Sequence, residues 1–169
     1  DQRHSVLAAR ARADFYAAEL GGEKIIVHSY GKLFGDASEM NERAIYAGRG
    51  KQHLDFFYHI DHVGKKTKAE IDLKGALADE SKKIFRGTLD FKRGCAGSVG
   101  DEGDFAIQLD PKTKNISLPL LLCTEDDVQG NHASSAGQLD QNTIYFLMSR
   151  GFTLEEARCF VVEALIRPI

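Results

Sequence analysis

Leu54, Phe56, Tyr58 and Ile60 alternate with His53, Asp55, Phe57, His59 and Asp61, which puts an apolar row on one face of a strand and most polar groups on the other. This is the clearest strand in the chain. Short runs of the same texture lie on either side of it. Ser5 to Leu20 sets Ala9, Ala11, Ala13, Phe15 and Ala17 against Arg10, Arg12, Asp14 and Tyr16, although its alanines also suit a helix. Gly21-Gly22 breaks the chain before Ile25-Ile26-Val27, a β-branched run ended by Gly31. Ala44 to Ala47 is closed by Gly48 and Gly50, and further runs follow at Ile71 to Leu77, Ile84 to Phe91, Phe105 to Leu109 and Leu118 to Leu122. Their separators are Asp79-Glu80-Ser81, Gly94 to Gly103, and Asp110-Pro111.

Between Asp126 and Asp140 the texture changes, with His132 flanked by small residues such as Ala133, Ser134 and Ser135. Beyond it, Ile144, Leu147 and Met148, with Tyr145 beside them, have helical spacing, and Gly151 stops that helix. Thr153-Leu154-Glu155-Glu156 is a capping box opening a second helix, whose inner face is expected at Ala157, Phe160, Val161, Ala164 and Leu165. These two antiparallel helices are expected to cover the open end of the β structure or to offer an apolar face to a partner.

Many short strands at spacings of roughly 10 to 20 residues, with no long helices between them, exclude a doubly wound α/β sheet. A sandwich, an up-and-down barrel and a parallel β-helix remain. Two-residue hairpin signals such as Asn-Gly or Asp-Gly are absent, which counts against hairpin-built folds and favours a solenoid. The hexapeptide repeat of left-handed coils is missing as well. The expectation is a mainly β chain: a right-handed parallel β-helix over residues 1–138, followed by two short C-terminal helices in a segment 139–169.

Composition narrows the function. A chain of 169 residues that is 43% hydrophobic supports one sizeable core and one domain. Its 22 basic and 25 acidic residues give a net charge of -3, and the basic ones look scattered in sequence, so nucleic acid is not an expected partner. No apolar run approaches the ~20 residues of a membrane-spanning helix, and no membrane partner is expected. Cys95, Cys123 and Cys159 are widely spaced and odd in number, which fits reduced thiols in a cytoplasm and inert core positions. The opening at Asp1 without Met suggests a piece of a longer protein.

Few residues carry candidate chemistry. His132, an imidazole among small neighbours, is the candidate metal ligand; the competing reading is a surface histidine bonded to a backbone carbonyl. His53, Asp55, His59 and Asp61 share one strand face and could gather a metal, but a solvated polar face is the favoured reading. His62 points toward the apolar row, as a satisfied semi-buried group or an interface contact. No G-x-x-x-x-G-K-[ST] loop occurs, so ATP hydrolysis by this chain is not expected.

Asp126-Asp127-Val128, His132, Gly137-Gln138-Leu139-Asp140, Tyr145-Phe146-Leu147-Met148-Ser149-Arg150-Gly151 and Glu155-Glu156-Ala157-Arg158 together resemble the SufB/SufD family of iron-sulfur cluster assembly subunits. Gly50-Lys51-Gln52-His53-Leu54-Asp55, His62, Phe85, Gly87 and Pro119 fall in family order upstream, so the resemblance runs from about Tyr46 onward. It implies a right-handed parallel β-helix with C-terminal helices, working beside a SufC-type ABC ATPase and a SufB-type subunit. It also tips Ser5 to Leu20 toward strand. His132 falls where the family has a histidine facing the partner subunit, and Tyr145, Met148, Ser149, Arg150 and Gly151 fall where the helical region docks the ATPase.

The scaffold type within the family would carry Glu directly after the histidine and a cysteine near Glu102 to Ala106. Here Ala133 follows His132 and no cysteine lies in that stretch, so the chain looks SufD-like. Gly130 stands where such sequences often have Cys, and Glu102 where they have Gln. The resemblance therefore implies a non-catalytic subunit, with no stably bound cofactor, that assists iron delivery or cluster assembly in the assembled complex. Two rivals are a homodimeric β-helix interaction protein without metal and a carbohydrate-active β-helix enzyme. The enzyme would need acidic and basic residues across a groove, for which Asp55 and Asp61 with Lys65 and Lys66 are the candidates.

Overall fold

Backbone pairing is parallel throughout and joins residues one coil apart instead of sequence neighbours. The structure is a computed structural model that describes residues 1–167. Its strands are β1 (Gln2–Leu7), β2 (Arg12–Leu20), β3 (Lys24–Leu33), β4 (Glu39–Gly48), β5 (His53–His62), β6 (Lys68–Leu77), β7 (Lys82–Phe91), β8 (Ser98–Gln108), β9 (Lys114–Cys123) and β10 (Val128–Gln138). Odd strands form one sheet in the order β1-β3-β5-β7-β9, and even strands form the other, β10-β8-β6-β4-β2. The result is the parallel β-solenoid expected from the sequence, with helices α1 (Gln141–Ser149) and α2 (Leu154–Ile166) after it. The last two residues of the expected helical segment 139–169 lie outside the described residues. No described helix is long and apolar enough to cross a membrane.

The coils turn at stacked left-handed residues. Arg10, Ala37, Lys66 and Gly97 have φ of 59°, 55°, 54° and 75°. Each donates its backbone N–H to the next coil, at Asp36, Lys65, Ala96 and Asp127 respectively. Only glycine takes this conformation without steric cost, and at the other three the stacked hydrogen bonds offset it. This is why the bends carry so little Gly-rich turn signal.

Between the sheets, alternate residues point inward. Val27 of β3, Leu54, Phe56, Tyr58 and Ile60 of β5, and Phe85, Leu89 and Phe91 of β7 are buried in one continuous core with Met40, Ile71 and Leu73 of the even sheet. Each such side chain contributes about 1.5–3 kcal/mol by leaving water. Some polar groups enter the interior in paired sets. Ser29 donates to Glu42 at 2.5 Å, and Arg3 reaches the other oxygen of Glu42 at 2.7 Å. Burial pushes the Glu42 carboxyl up, against the pull of these two partners.

Several sequence expectations are corrected. Ser5 to Leu20 is not one segment: β1 and β2 are separate strands in different sheets, divided at the corner around Arg10. Gly31 does not end the third strand but lies inside it, close under Met40 and Ile60. Gly94 to Gly103 is only partly a separator, because β8 begins at Ser98. At Gly100 a Cβ would come within 2.9 Å of Leu89, so the glycine serves packing. The basic residues are not all scattered: Lys24, His53, Lys82 and Lys114 stand in register at the starts of four successive odd strands.

In the helices, the Gly151 stop and the Thr153 capping box are as expected, and Asp140 adds a cap the sequence reading did not name. Asp140 caps α1 by accepting from the N–H groups of Asn142 and Thr143, and Gly151 follows the helix with φ of 98°. Thr153 and Glu156 form the capping box of α2. Their position differs from the expectation that they cover the open end. Leu139, Ile144 and Ala157 bury together against the outward-facing Ile107, with Leu109, Leu147 and Val161 around them. Arg158 fixes α2 to the C-terminal end of β8 through Leu109 O at 3.3 Å and Asp110 at 3.2 Å. Phe160 and Ala164, expected on the packing face, are exposed. The inner face is instead Ala157, Arg158, Val161 and Leu165, because α2 lies along the flank of the even sheet.

Candidate functional site

The last coil is unfinished on its outer side. β9 and β10 are edge strands of the two sheets, and among the described residues no strand pairs with their free edges. Such an edge presents unpaired N–H and C=O groups to a partner. On the inward row of β8, Ser98, Gly100, Glu102, Asp104 and Ala106 are buried. Their register partners on β10 are Val128, Gly130, His132, Ser134 and Ala136. His132 therefore belongs to the inward row, yet it is exposed because no further coil covers it. At Gly130 a Cβ would lie 3.2 Å from Phe91 and 3.4 Å from Leu121, which confirms the direction of the row.

Beneath His132 lies Glu102, its register partner, 3% exposed and with neither carboxylate oxygen hydrogen-bonded. Its carboxyl rests against Phe85 and Gly87. A Cβ at Gly87 would fall 2.0 Å from Glu102 Oε1, so only glycine leaves room for it. Burial, then the neighbouring Asp104, pushes the Glu102 carboxyl up to about 8. Asp104 is itself ion-paired with fully buried Lys83, which also donates to the Tyr46 hydroxyl at 3.1 Å. Burial lowers the Lys83 ammonium while Asp104 works in the opposite direction. Asn115 and Ser117, on the inward row of β9, also carry buried oxygens without partners. The interior of this end is polar and incompletely bonded, whereas the middle of the solenoid is apolar.

Two further surfaces border the open end. On the outward side of β9, Ile116, Leu118, Leu120 and Leu122 form an exposed apolar row, with Ile84 of β7 beside Ile116. On the helices, Tyr145 and Met148 are exposed, Ser149 donates back to Phe146 O, and the Arg150 guanidinium lies over the Phe146 ring at 4.9 Å from its centroid. Sequence reasoning singled out Tyr145, Met148, Ser149, Arg150 and Gly151 but missed exposed Phe146, Phe152 and Phe160. Phe152 and Phe160 pack ring to ring at 5.8 Å. Phe160 was read as a core position because it stands three residues after Ala157, and no periodic signal marks Phe146 or Phe152 as exposed.

The remaining candidates separate. His53 and Asp55 do not join His59 and Asp61: Asp55 is ion-paired with Arg86, and His53 stacks in register with Lys24 and Lys82. His62 is fully buried and stacked on Phe91 at 4.3 Å, with Nδ1 2.7 Å from the Thr67 hydroxyl. Burial pulls its imidazole down to about 4. Of the cysteines only Cys95 is buried. Cys123 ends β9 in an exposed position and Cys159 is exposed on α2, contrary to the expectation of core thiols. For the carbohydrate reading, Asp61 is engaged by Tyr30 and His59, and Lys65 and Lys66 lie at the corner between β5 and β6.

Comparison with known proteins places these observations. Residues 1–165 match the family model described as SUF system FeS cluster assembly, SufBD core domain. The likeness noted from Tyr46 onward thus extends to the first residue. The chain is 32% identical over 137 residues to the iron-sulfur cluster assembly protein SufD of Bacillus subtilis, covering 81% of this chain and 31% of that protein. It is 28% identical over 124 residues to an iron-sulfur cluster assembly SufBD family protein of Mycobacterium leprae, covering 73% and 14%. To the iron-sulfur cluster assembly protein SufB of Bacillus subtilis it is 26% identical over 122 residues, covering 72% and 26%. The chain thus spans a third or less of the length of each of these relatives.

Proposed function

Because the chain belongs to the SufBD core family of the SUF iron-sulfur cluster assembly system, we propose that it acts as a SufD-like, non-catalytic subunit of an assembly complex in the cytoplasm. In this reading the free edges of β9 and β10 meet a SufB-type subunit, and the exposed helix surface of Tyr145, Met148, Ser149, Arg150 and Gly151 meets a SufC-type ABC ATPase. Iron, or a nascent cluster, is the cargo handled at the junction. The observation that carries the reading is the pair His132 and Glu102: an exposed imidazole at an open end over a buried, unpartnered carboxylate.

The donor set fits a shared site. The His132 imidazole nitrogen suits iron or another borderline metal, and Glu102 becomes a carboxylate donor once a metal displaces its proton. Two donors fall short of the four of a closed tetrahedral site, so the facing edge of the partner would supply the others. This chain's part is to hold His132 on a paired strand and to keep the ground beneath it polar. The test is purification of the tagged chain with its co-expressed partners, followed by cluster reconstitution. Recovery of a SufB-type subunit and an ABC ATPase is expected, with His132→Ala lowering cluster yield while the complex still forms. An unchanged yield removes His132 from the site, and stoichiometric purification without an ATPase removes the complex.

A second reading has its own observation. The apolar row Ile116, Leu118, Leu120 and Leu122 on an edge strand would also suit a homodimer without metal. Sedimentation of the chain alone distinguishes the two: a tight dimer that takes no iron favours the homodimer.

A further inference from the structure

On the outward face of the odd sheet, three metal-ligating side chains converge that the reading above does not use. Asp61 and Asp90 are register partners on β5 and β7, 6% and 7% exposed, and His59 lies two residues before Asp61 on the same face. One ligand atom from each lies within 4.8 Å of the others. We propose that His59, Asp61 and Asp90 form a site for a divalent transition-metal ion, with the Lys92 ammonium standing in for the ion when it is absent.

Charge supports the assignment first. Two carboxylates side by side at this burial repel each other unless a cation lies between them. Lys92 is paired with Asp90 and lies 3.5 Å from Asp61 Oδ1, so one positive charge faces two negative ones. A divalent ion would balance both. Lys92 is half exposed and can turn its ammonium into water as the ion takes its place between the two carboxylates.

Geometry supports it second. Nitrogen and oxygen ligands sit about 2.0–2.2 Å from such an ion, so neighbouring ligands lie ~3–3.5 Å apart. His59 Nε2 and Asp61 Oδ1 are already 3.0 Å apart. The remaining separations are no more than 4.8 Å, which a rotation of Asp90 away from Lys92 would have to close. The ring of His59 is held by stacking on Tyr30, with centroids 5.1 Å apart, and Tyr30 donates its hydroxyl to the other oxygen of Asp61. Outer partners of this kind orient first ligands. One nitrogen with two carboxylate oxygens selects a borderline ion over calcium.

The test is titration of the purified chain with Co²⁺ in the absence of other metals, followed by the visible absorption of bound cobalt and by calorimetry. Saturable uptake of one ion at the cluster is expected. Asp90→Asn and His59→Ala should each weaken it by about tenfold or more, and Lys92→Ala should tighten it about tenfold by removing the competitor. His53→Ala, on the same face of β5 but outside the cluster, should leave the spectrum unchanged, which places the ion at the three named residues. Circular dichroism checks folding, and His59→Ala, at a partly exposed ring, keeps the test if Asp90→Asn fails to fold. Absence of saturable uptake by the wild type, or uptake that survives both weakening substitutions, overturns the proposal.

Discussion

His132 and Glu102 are cross-strand neighbours on the inward row of β10 and β8, yet the imidazole is open to solvent while the carboxyl is 3% exposed. One coil makes the difference. Glu102 is roofed by β10, and His132 has no strand above it among the described residues. The carboxyl is therefore held where ionisation is disfavoured.

Glu102 ionises at about 8 when folded, against an ordinary value of 4.5. The folded chain thus holds a proton that the unfolded chain releases, so its contribution is full below about pH 4.5 and is lost as pH rises toward 8. The loss is on the order of 5 kcal/mol. Glu102→Gln should remove this decline and raise the melting temperature at pH 8. Denaturant unfolding of both proteins at pH 6.5 and 8 is the check, and parallel curves would contradict the assignment.

Gly87 should be irreplaceable while Glu102 is present. Gly87→Ala sets a methyl 2.0 Å from Glu102 Oε1 and is expected to cost about 1–3 kcal/mol by overpacking. In a Glu102→Ala background the cost should fall without vanishing, because Phe85 Cζ also lies 2.5 Å from the added methyl. A double-mutant cycle measures the coupling, and additive effects would refute it.

His62 runs with the opposite sign. Burial lowers its imidazole to about 4. Its contribution is present above about pH 6.5 and is lost as pH falls toward 4, by about 3 kcal/mol at most. This slope opposes that of Glu102 between about pH 4.5 and 6.5, so it is best read in the Glu102→Gln protein. There, His62→Leu should lose the acid slope while costing stability at pH 7 through the Thr67 hydrogen bond.

Lys83 and Asp104 form an ion pair with both partners inside. Asp104→Ala leaves a buried ammonium and should cost about 3–5 kcal/mol, whereas the double change Lys83→Met with Asp104→Leu should recover most of it. Thermal unfolding of the three proteins decides. If the single change were harmless, water would have to reach Lys83.

Tyr145, Phe146 and Phe160 are exposed and contribute little to the helix core. Replacing all three by Ser should leave the melting temperature within a few degrees and reduce recovery of the ABC ATPase in co-purification. Full recovery would move the docking surface elsewhere.

Period-2 alternation, β-branched runs and the absence of hairpin dipeptides were enough to give a parallel coil, and helix spacing with Thr153, Glu156 and Gly151 gave the two helices and their ends. His132 stood out because small neighbours and a motif surround it, and the structure adds its place on the exposed end of the inward row. The strand at Ser98 to Asp104 was not, since its polar and glycine residues read as a loop until β6 and β10 pair with it on both sides. Nor was the packing face of α2, because two overlapping apolar stripes share that helix.

Local chemistry along the chain determined most of the extended stretches, the presence of two helices, and that successive strands stack instead of folding back. Tertiary structure alone decided what meets across coils: Glu102 under His132, Asp61 beside Asp90, and Lys24, His53, Lys82 and Lys114 in one line. Those residues stand about thirty positions apart, and no local preference encodes the length of a coil. It is set by where left-handed corners such as Ala37 and Lys66 find hydrogen bonds in the next coil, and only the closed stack supplies them.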